Sequence, residues 1–382
     1  MKIGVPKERR PSEKRVAASP ETVKKLAAMG IEVIVEKEAG QASFFPDRFY
    51  QEAGARMVPD AGAVFREADV ILKVQRPLVE PLLEADEVSL LRPGQTLIAT
   101  LDALVNRDQV KVFAEKEVTA IALELLPRIT RAQSMDVLSS QSNLAGYKAV
   151  VDAAYHFGRL FPMMMTAAGT VAPARVLILG AGVAGLQAIA TAKRLGAIVS
   201  AFDVRPAAKE QVESLGARFV EVPSEEVESA ETTGGYAKEM GEEYRKKQAE
   251  LIHETAKKSD IIITTALIPG KPAPVLVTEE MVRDMKPGSV IFDLAAAAGG
   301  NCPLCAMDQV VLVHGVTILS YENVPSHVPV DASTLYARNV FNFLVAVIDK
   351  ETKTLRIDME DEIIRGTLLT REGHIVHPSF TT

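Results

Sequence analysis

Two stretches of this 382-residue chain hold residue types whose spacing suits chemistry. The first is Gly180-Ala181-Gly182-Val183-Ala184-Gly185, a GxGxxG run whose glycines permit a tight turn, close backbone approach to a pyrophosphate, and close helix–strand packing. Asp203 follows Gly182 by 21 residues, where a carboxylate can accept hydrogen bonds from an adenosine ribose 2′-hydroxyl. Its charge repels a 2′-phosphate and favours NAD over NADP, although Arg205 is of a type that pairs with such a phosphate. The second stretch, Pro127 to Asn143, is unusually polar and includes Arg128, Arg131, Gln133, Asp136, Ser139 and Gln141. Donors and acceptors of this kind suit a nicotinamide carboxamide, though on spacing alone a polar linker between domains fits equally well.

A dehydrogenase acting on an alcohol or amine also needs an acid/base group beside the hydride path. None of the histidines, His156, His253, His314, His327, His374 and His377, falls in the polar stretch. Lys73 closes an apolar run and is the other candidate, but a lysine at a strand end is ordinarily solvated. Hydride transfer between two nicotinamide rings needs neither proton shuttle nor metal, only ring placement at roughly 3–3.5 Å. Cys302 and Cys305 form a CxxC, yet zinc would require two further ligands, with His314 the nearest, and no thioredoxin-like context surrounds them. The pair reads as incidental.

These residues need elements to hold them. Arg175–Leu179 reads as a buried strand, Leu186–Leu195 as the helix opened by the glycines, with its amides aimed at an anion, and Ala197–Phe202 as the strand ending at Asp203. Earlier, Lys2–Val5, Ile31–Glu36, Val70–Val74, Thr96–Leu101 and Thr119–Glu124 read as strands between helices such as Pro20–Met29 and Arg107–Lys116. Later strands are Phe219–Val222, Ile261–Thr265, Val290–Leu294 and Val311–Val313. One long helix is expected from Ser142 as N-cap and another from Asp331, and the closing TLRIDM, IIRGTLLT and HIVHP read as strands turning at Arg371-Glu372-Gly373. The expected fold is α/β, with two doubly wound Rossmann-like lobes joined by two long helices and a C-terminal β-hairpin on the first lobe. The first lobe comprises residues 1–138 and 328–382, the second residues 139–327, and the cleft between them is the expected ligand site. Ser229 to Gln248 breaks the rhythm. Spacing favours a solvated loop leading into a surface helix over a lid that carries Tyr236 and Met240 between glycine hinges.

Composition bounds the rest. Forty-three basic and 50 acidic residues give a net charge of −7 without a dense basic block, which argues against nucleic acid as main partner. The charged start lacks an apolar signal region, and no run of about 18 apolar residues exists, so neither secretion nor a spanning helix is expected. Two cysteines in such a length suit a reducing cytoplasm.

The stretches RITRAQSMDVLSSQSNLAGYKAV, FPMMMTAAGTVAPARVLILGAGVAGLQAIATAKRLGA, FDVRPAAKEQVESLGA, GGYAKEMGEEYRKKQAE and TTALIPGKPAPVLVT together resemble the soluble NAD(H)-binding subunit of proton-translocating nicotinamide nucleotide transhydrogenase. The resemblance implies hydride transfer from NADH to NADP(H) held by a partner subunit, coupled to proton movement through membrane-embedded subunits. It also implies a homodimer, peripheral at the cytoplasmic face of the inner membrane and not inserted in it. Carried over by residue, it assigns Arg128, Ile129, Gln133, Asp136 and Ser139 to the nicotinamide end, with Gln133 also approaching the NADP-binding partner. Gly180, Gly182, Val183 and Gly185 would hold the pyrophosphate, and Asp203, Val204 and Arg205 the adenosine ribose. Gly235, Gln248, Ala266 and Leu267 match further cofactor contacts, and Tyr236 and Met240 the mobile loop. The related alanine dehydrogenases set a second reading, because Arg15 and Lys73 resemble their substrate residues. Their catalytic histidine would fall near Thr100, where this chain has none. A regulatory NAD-binding module without chemistry is the remaining alternative.

Overall fold

The computed structural model describes residues 1–80, 85–222, 241–268 and 270–381. They form two compact units, Met1–Gln141 with Ser326–Thr382, and Ser142–Pro325. In the first unit the chain lays down β1 (Lys2–Val5), α1 (Pro20–Ala28), β2 (Glu32–Glu36), α2 (Asp47–Glu52), β3 (Arg56–Val58), α3 (Ala61–Glu67) and β4 (Val70–Gln75). A short antiparallel pair follows, β5 (Val79–Glu80) with β6 (Ala85–Asp86), then β7 (Thr96–Thr100), α4 (Arg107–Glu115) and β8 (Thr119–Ala122). The strand order β3-β2-β1-β4-β7-β8 is parallel and reverses its winding between β1 and β4. Its inner strands, VILKVQ and TLIAT, are nearly unbroken apolar runs because both faces are covered. The helices start where caps allow: Ser19 accepts the Thr22 amide ahead of Pro20, and Asp60 accepts the Ala63 amide.

Helix α5 (Val137–His156) begins in the first unit and continues in the second. Val137 joins the first core, whereas Ala149, Val150 and Ala153 join the second. Next come an antiparallel pair, β9 (Met164–Thr166) with β10 (Gly169–Val171), and then β11 (Arg175–Leu179), α6 (Val183–Arg194), β12 (Ile198–Phe202), α7 (Ala207–Ser214) and β13 (Arg218–Phe219). The second half comprises α8 (Glu242–Ala256), β14 (Ile261–Thr264), α9 (Glu279–Asp284), β15 (Val290–Asp293), β16 (Val310–Val313) and β17 (Val316–Leu319). The order β13-β12-β11-β14-β15-β17 repeats the parallel pattern of the first sheet, with β16 antiparallel at the edge. Each sheet is therefore doubly wound, and the second places its reversal between β11 and β14, a point where such folds bind ligands.

The chain returns to the first unit at Ser326, just ahead of α10 (Pro329–Val347). Tyr336, Val340, Phe343 and Leu344 of α10 are buried with Ile3, Val5, Val70 and Leu72. Full burial of each such side chain is worth about 1.5–3 kcal/mol, so α10 is integral to that core. After α11 (Glu362–Thr367), β18 (Leu368–Arg371) and β19 (His374–Ile375) form an antiparallel hairpin that extends the sheet beyond β8.

Several boundaries differ from the sequence expectations, each for a local reason. Helix α5 starts at Val137, not after Ser142, because the Asp136 carboxylate accepts the Ser139 amide at 2.9 Å and caps it earlier. Helix α6 starts at Val183, since the second fingerprint glycine is itself the N-cap. Helix α10 starts with Pro329 at its first position rather than at Asp331. TLRIDM contributes one isolated bridge, Leu355 to Ile348, and no strand. IIRGTLLT is helix before it is strand: Asp361 caps it, and buried Ile363, Ile364 and Thr367 share one helical face.

Candidate dinucleotide-binding site

The turn between β11 and α6 is built from its glycines. Gly180 has φ +99°, a left-handed conformation that L side chains rarely adopt, and its carbonyl accepts a hydrogen bond from Thr265 Oγ1 at 2.9 Å. A Cβ on Gly185 would lie 1.9 Å from the Gly180 carbonyl oxygen, so the helix reaches the strand end only without a side chain there. At Gly182 a Cβ would meet only the Arg205 Nη2 atom, 3.9 Å away, and no side chain caps α6. Uncapped first-turn amides at the positive end of a helix, beside an open glycine surface, fit a pyrophosphate.

Asp203, just beyond β12, ties this turn to its neighbours. Its Oδ2 accepts the Ala181 amide at 2.7 Å and Arg205 Nη2 at 2.8 Å, while Oδ1 accepts the Arg205 backbone amide and Nε at 2.8 and 2.9 Å. Val204 packs against the apolar cluster containing Phe202. Across the winding reversal, the segment after β14 carries Ala266 and half-exposed Leu267. Asn301, fully buried and not singled out by the sequence reading, holds that segment: its Oδ1 accepts the Ala266 amide at 3.1 Å, and its Nδ2 donates to the carbonyls of Ala266 (3.0 Å) and Pro274 (2.7 Å). Asp293 below it accepts Thr264 Oγ1 and the amides of Ala295 and Cys302, and burial pushes its carboxyl up. The only sequence signal for Asn301 was its place after Gly299-Gly300, in a stretch otherwise read for its cysteines. Gln248 is buried on α8. Gly235, Tyr236 and Met240 lie outside the described residues.

The polar stretch belongs to the first unit. Thr130–Met135 forms a 3₁₀ turn anchored inward by Ala132 and Met135. Two α10 amides, from Asn339 and Asn342, donate to the Ser134 carbonyl at 2.9 Å each. Arg131 is committed to Asp361 through two hydrogen bonds of 3.0 and 2.5 Å. Arg128 and Gln133 are exposed on this rigid turn, with Ile129 half-buried between them and the anchor. Asp136 and Ser139 are joined to each other, Ser139 Oγ donating at 2.5 Å, as part of the α5 cap.

Arg15 and Lys73 are not solvated cations, contrary to the expectation for Lys73. Lys73 is wholly buried, and its Nζ donates to Glu8 (3.0 Å) and Glu87 (2.9 Å). Burial pushes the Glu8 carboxyl up against the pull of Lys73, and Glu87 and Glu13 add to that push. Arg15 grips Glu13 with Nε and Nη2 at 2.8 and 2.7 Å and donates to Gln141. Burial alone would raise Glu13, but the charge and hydrogen bonds of Arg15 outweigh it and bring the carboxyl down to about 2. At Thr100 the hydroxyl lies 3.5 Å from Tyr336 Oη, which donates to the Lys73 carbonyl. Cys302 and Cys305 are free thiols, and burial pushes Cys302 up to about 11, which keeps it protonated near neutrality.

Known proteins share this arrangement. The alanine dehydrogenase/PNT N-terminal domain matches residues 4–145 and the alanine dehydrogenase/PNT C-terminal domain residues 149–378. The first part of NAD(P) transhydrogenase subunit alpha from Rhodospirillum rubrum, a separate chain, is 60% identical over 381 residues, covering 100% of this chain and 99% of that one. The crystal structure of transhydrogenase from Sinorhizobium meliloti is 50% identical, with a TM-score of 0.87 and coverage of 98% and 100%. The alanine dehydrogenase of Mycolicibacterium smegmatis is 31% identical, covering 92% of this chain and 88% of its own. The chain belongs to the alanine dehydrogenase/PNT family, and within it to the NAD(P) transhydrogenase alpha subunits.

Proposed function

We propose that this chain is the NAD(H)-binding component of a transhydrogenase, carrying hydride between NADH and NADP+ held on a partner subunit, with proton translocation through membrane subunits. The observation that carries the reading is the Gly180–Gly185 turn, open at Gly182 and tied to Asp203, in a chain that matches transhydrogenase alpha subunits from end to end. Bound NADH supplies the hydride. Gly182, Val183 and the α6 amides hold its pyrophosphate, and Asp203, Val204 and Arg205 its adenosine ribose. Ala266, Leu267 and Gln248 flank the cofactor, with Gly235 and Tyr236 closing from the adjoining loop. Arg128, Ile129 and Gln133, on the anchored 3₁₀ turn, position the nicotinamide, and Asp136 and Ser139 fix the end of that turn. The amino-acid dehydrogenase reading is disfavoured because Arg15 and Lys73 already have carboxylate partners and Thr100 stands where a histidine would shuttle protons.

The complex contains two copies of this chain, peripheral at the cytoplasmic face of the inner membrane. Among the described residues no helix is long and apolar enough to cross a membrane, so spanning falls to the partners. The test mixes this chain with an NADP-binding transhydrogenase domain and follows NADH-dependent reduction of an NADP analogue. Absence of transfer sinks the reading, and NADH formation from L-alanine and NAD by the chain alone replaces it with the dehydrogenase.

A further inference from the structure

The Asp203 carboxylate accepts four N–H groups, three of them from Arg205. The two side chains are mostly buried, at 6% and 19% exposure, and Nε and Nη2 address the two carboxylate oxygens in a bidentate fork. The guanidinium lies beside the second fingerprint glycine, at the β12 end where this fold seats the adenosine ribose. A guanidinium fork is the side-chain geometry that best matches a phosphate, so the cation needed to accept a 2′-phosphate is already in place. What keeps it from doing so is its own neighbour.

We infer that Asp203 rejects 2′-phosphorylated nucleotides in two ways at once, by its charge and by occupying the Arg205 fork, so that Arg205 is a latent 2′-phosphate receptor. The inference rests on the reading of the Gly180–Gly185 turn as the NAD(H) site and adds how that site chooses between the two nicotinamide nucleotides. In a transhydrogenase the choice matters, because the two cofactors must stay on separate subunits while their rings meet. Asp203 also holds the Ala181 amide, so selectivity and turn geometry depend on one carboxylate.

The experiment titrates the full chain and its Asp203→Ala, Arg205→Ala and double variants with NADH, NADPH, adenosine 5′-phosphate and adenosine 2′,5′-bisphosphate. The unaltered chain binds NADH and excludes NADPH. Asp203→Ala gains at least tenfold in affinity for NADPH and for the bisphosphate, Arg205→Ala gains nothing, and the double variant loses the gain. An equal gain in the double variant overturns the inference, since repulsion alone would then explain selectivity. Should Asp203→Ala bind no nucleotide because the turn has lost its tether, Asp203→Asn decides, since it keeps an acceptor for Ala181. No gain for NADPH in either variant also overturns the inference. Failure of the unaltered chain to bind NADH refutes the cofactor reading instead.

Discussion

Replacing Gly185 by alanine and, separately, Gly182 by alanine separates packing of the fingerprint turn from its contact with ligand. The Gly185 Cβ would stand 1.9 Å from the Gly180 carbonyl oxygen and 2.9 Å from its carbon, whereas real Cβ contacts essentially never fall below 3.0 Å. Both atoms are backbone, so strand end and helix must part by about 1 Å in a region packed at crystal density. Overpacking of this kind costs about 1–3 kcal/mol, and if the strain is relieved by moving the turn, NADH affinity falls by about 5- to 150-fold. At Gly182 the free protein has room, with Arg205 Nη2 the nearest atom at 3.9 Å, and the added methyl group obstructs only an approaching pyrophosphate. Calorimetric titration with NADH and thermal unfolding without ligand read the two effects separately. Gly185→Ala should lower both affinity and melting temperature, and Gly182→Ala affinity alone. A Gly185→Ala protein that melts and binds like its parent would refute the argument from close backbone approach.

Asn301→Ala should free the Ala266 amide and carbonyl, speed hydrogen exchange at Ala266, and weaken NADH binding about tenfold through loss of about 1–2 kcal/mol of positioning; unchanged exchange would remove Asn301 from that role. Glu13→Gln leaves the Arg15 guanidinium short of its buried partner and should destabilise the first unit by about 3–5 kcal/mol in urea unfolding. Glu13 ionises at about 2 when folded, against 4.5 for an ordinary glutamate, so its contribution is full above pH 4.5 and disappears as pH falls toward 2. Across that window the variant should lose less stability than its parent; parallel acid-unfolding curves would contradict this. Gln133→Ala should slow hydride transfer to the NADP partner far more than it weakens NADH binding, because Gln133 lies exposed on a turn anchored by other residues. Equal losses in both would reassign it to anchoring.

The doubly wound sheets and the fingerprint could be read from the sequence because both are local signals. Apolar runs such as IIIT and VIFD announce buried parallel strands, and glycine spacing announces a turn that only glycine can make. Boundaries set by single side chains were less legible. Ser142 is as good a cap by type as Asp136, and only the three-dimensional contact to the Ser139 amide decides between them. The IIRGTLLT segment alternates enough to pass for a strand until burial shows Ile363 and Ile364 facing inward together. Long-range partners were not visible at all. Lys73 is held by Glu8 and Glu87, the first 65 residues away, and Asn301 reaches Ala266 across 35 residues, so neither pairing leaves a periodic trace.

The split of the first unit has a consequence for how the protein is made. Residues 142–325 form a continuous segment and can complete their sheet as soon as they leave the ribosome. The N-terminal 141 residues emerge earlier, yet their core lacks Tyr336, Phe343 and Leu344 of α10 until nearly all of the chain has been translated, and β8 lacks its neighbour β18 until later still. The half synthesised first is therefore finished last. In the interval it presents apolar side chains and a bare strand edge, the surfaces on which chaperones act and from which aggregation starts.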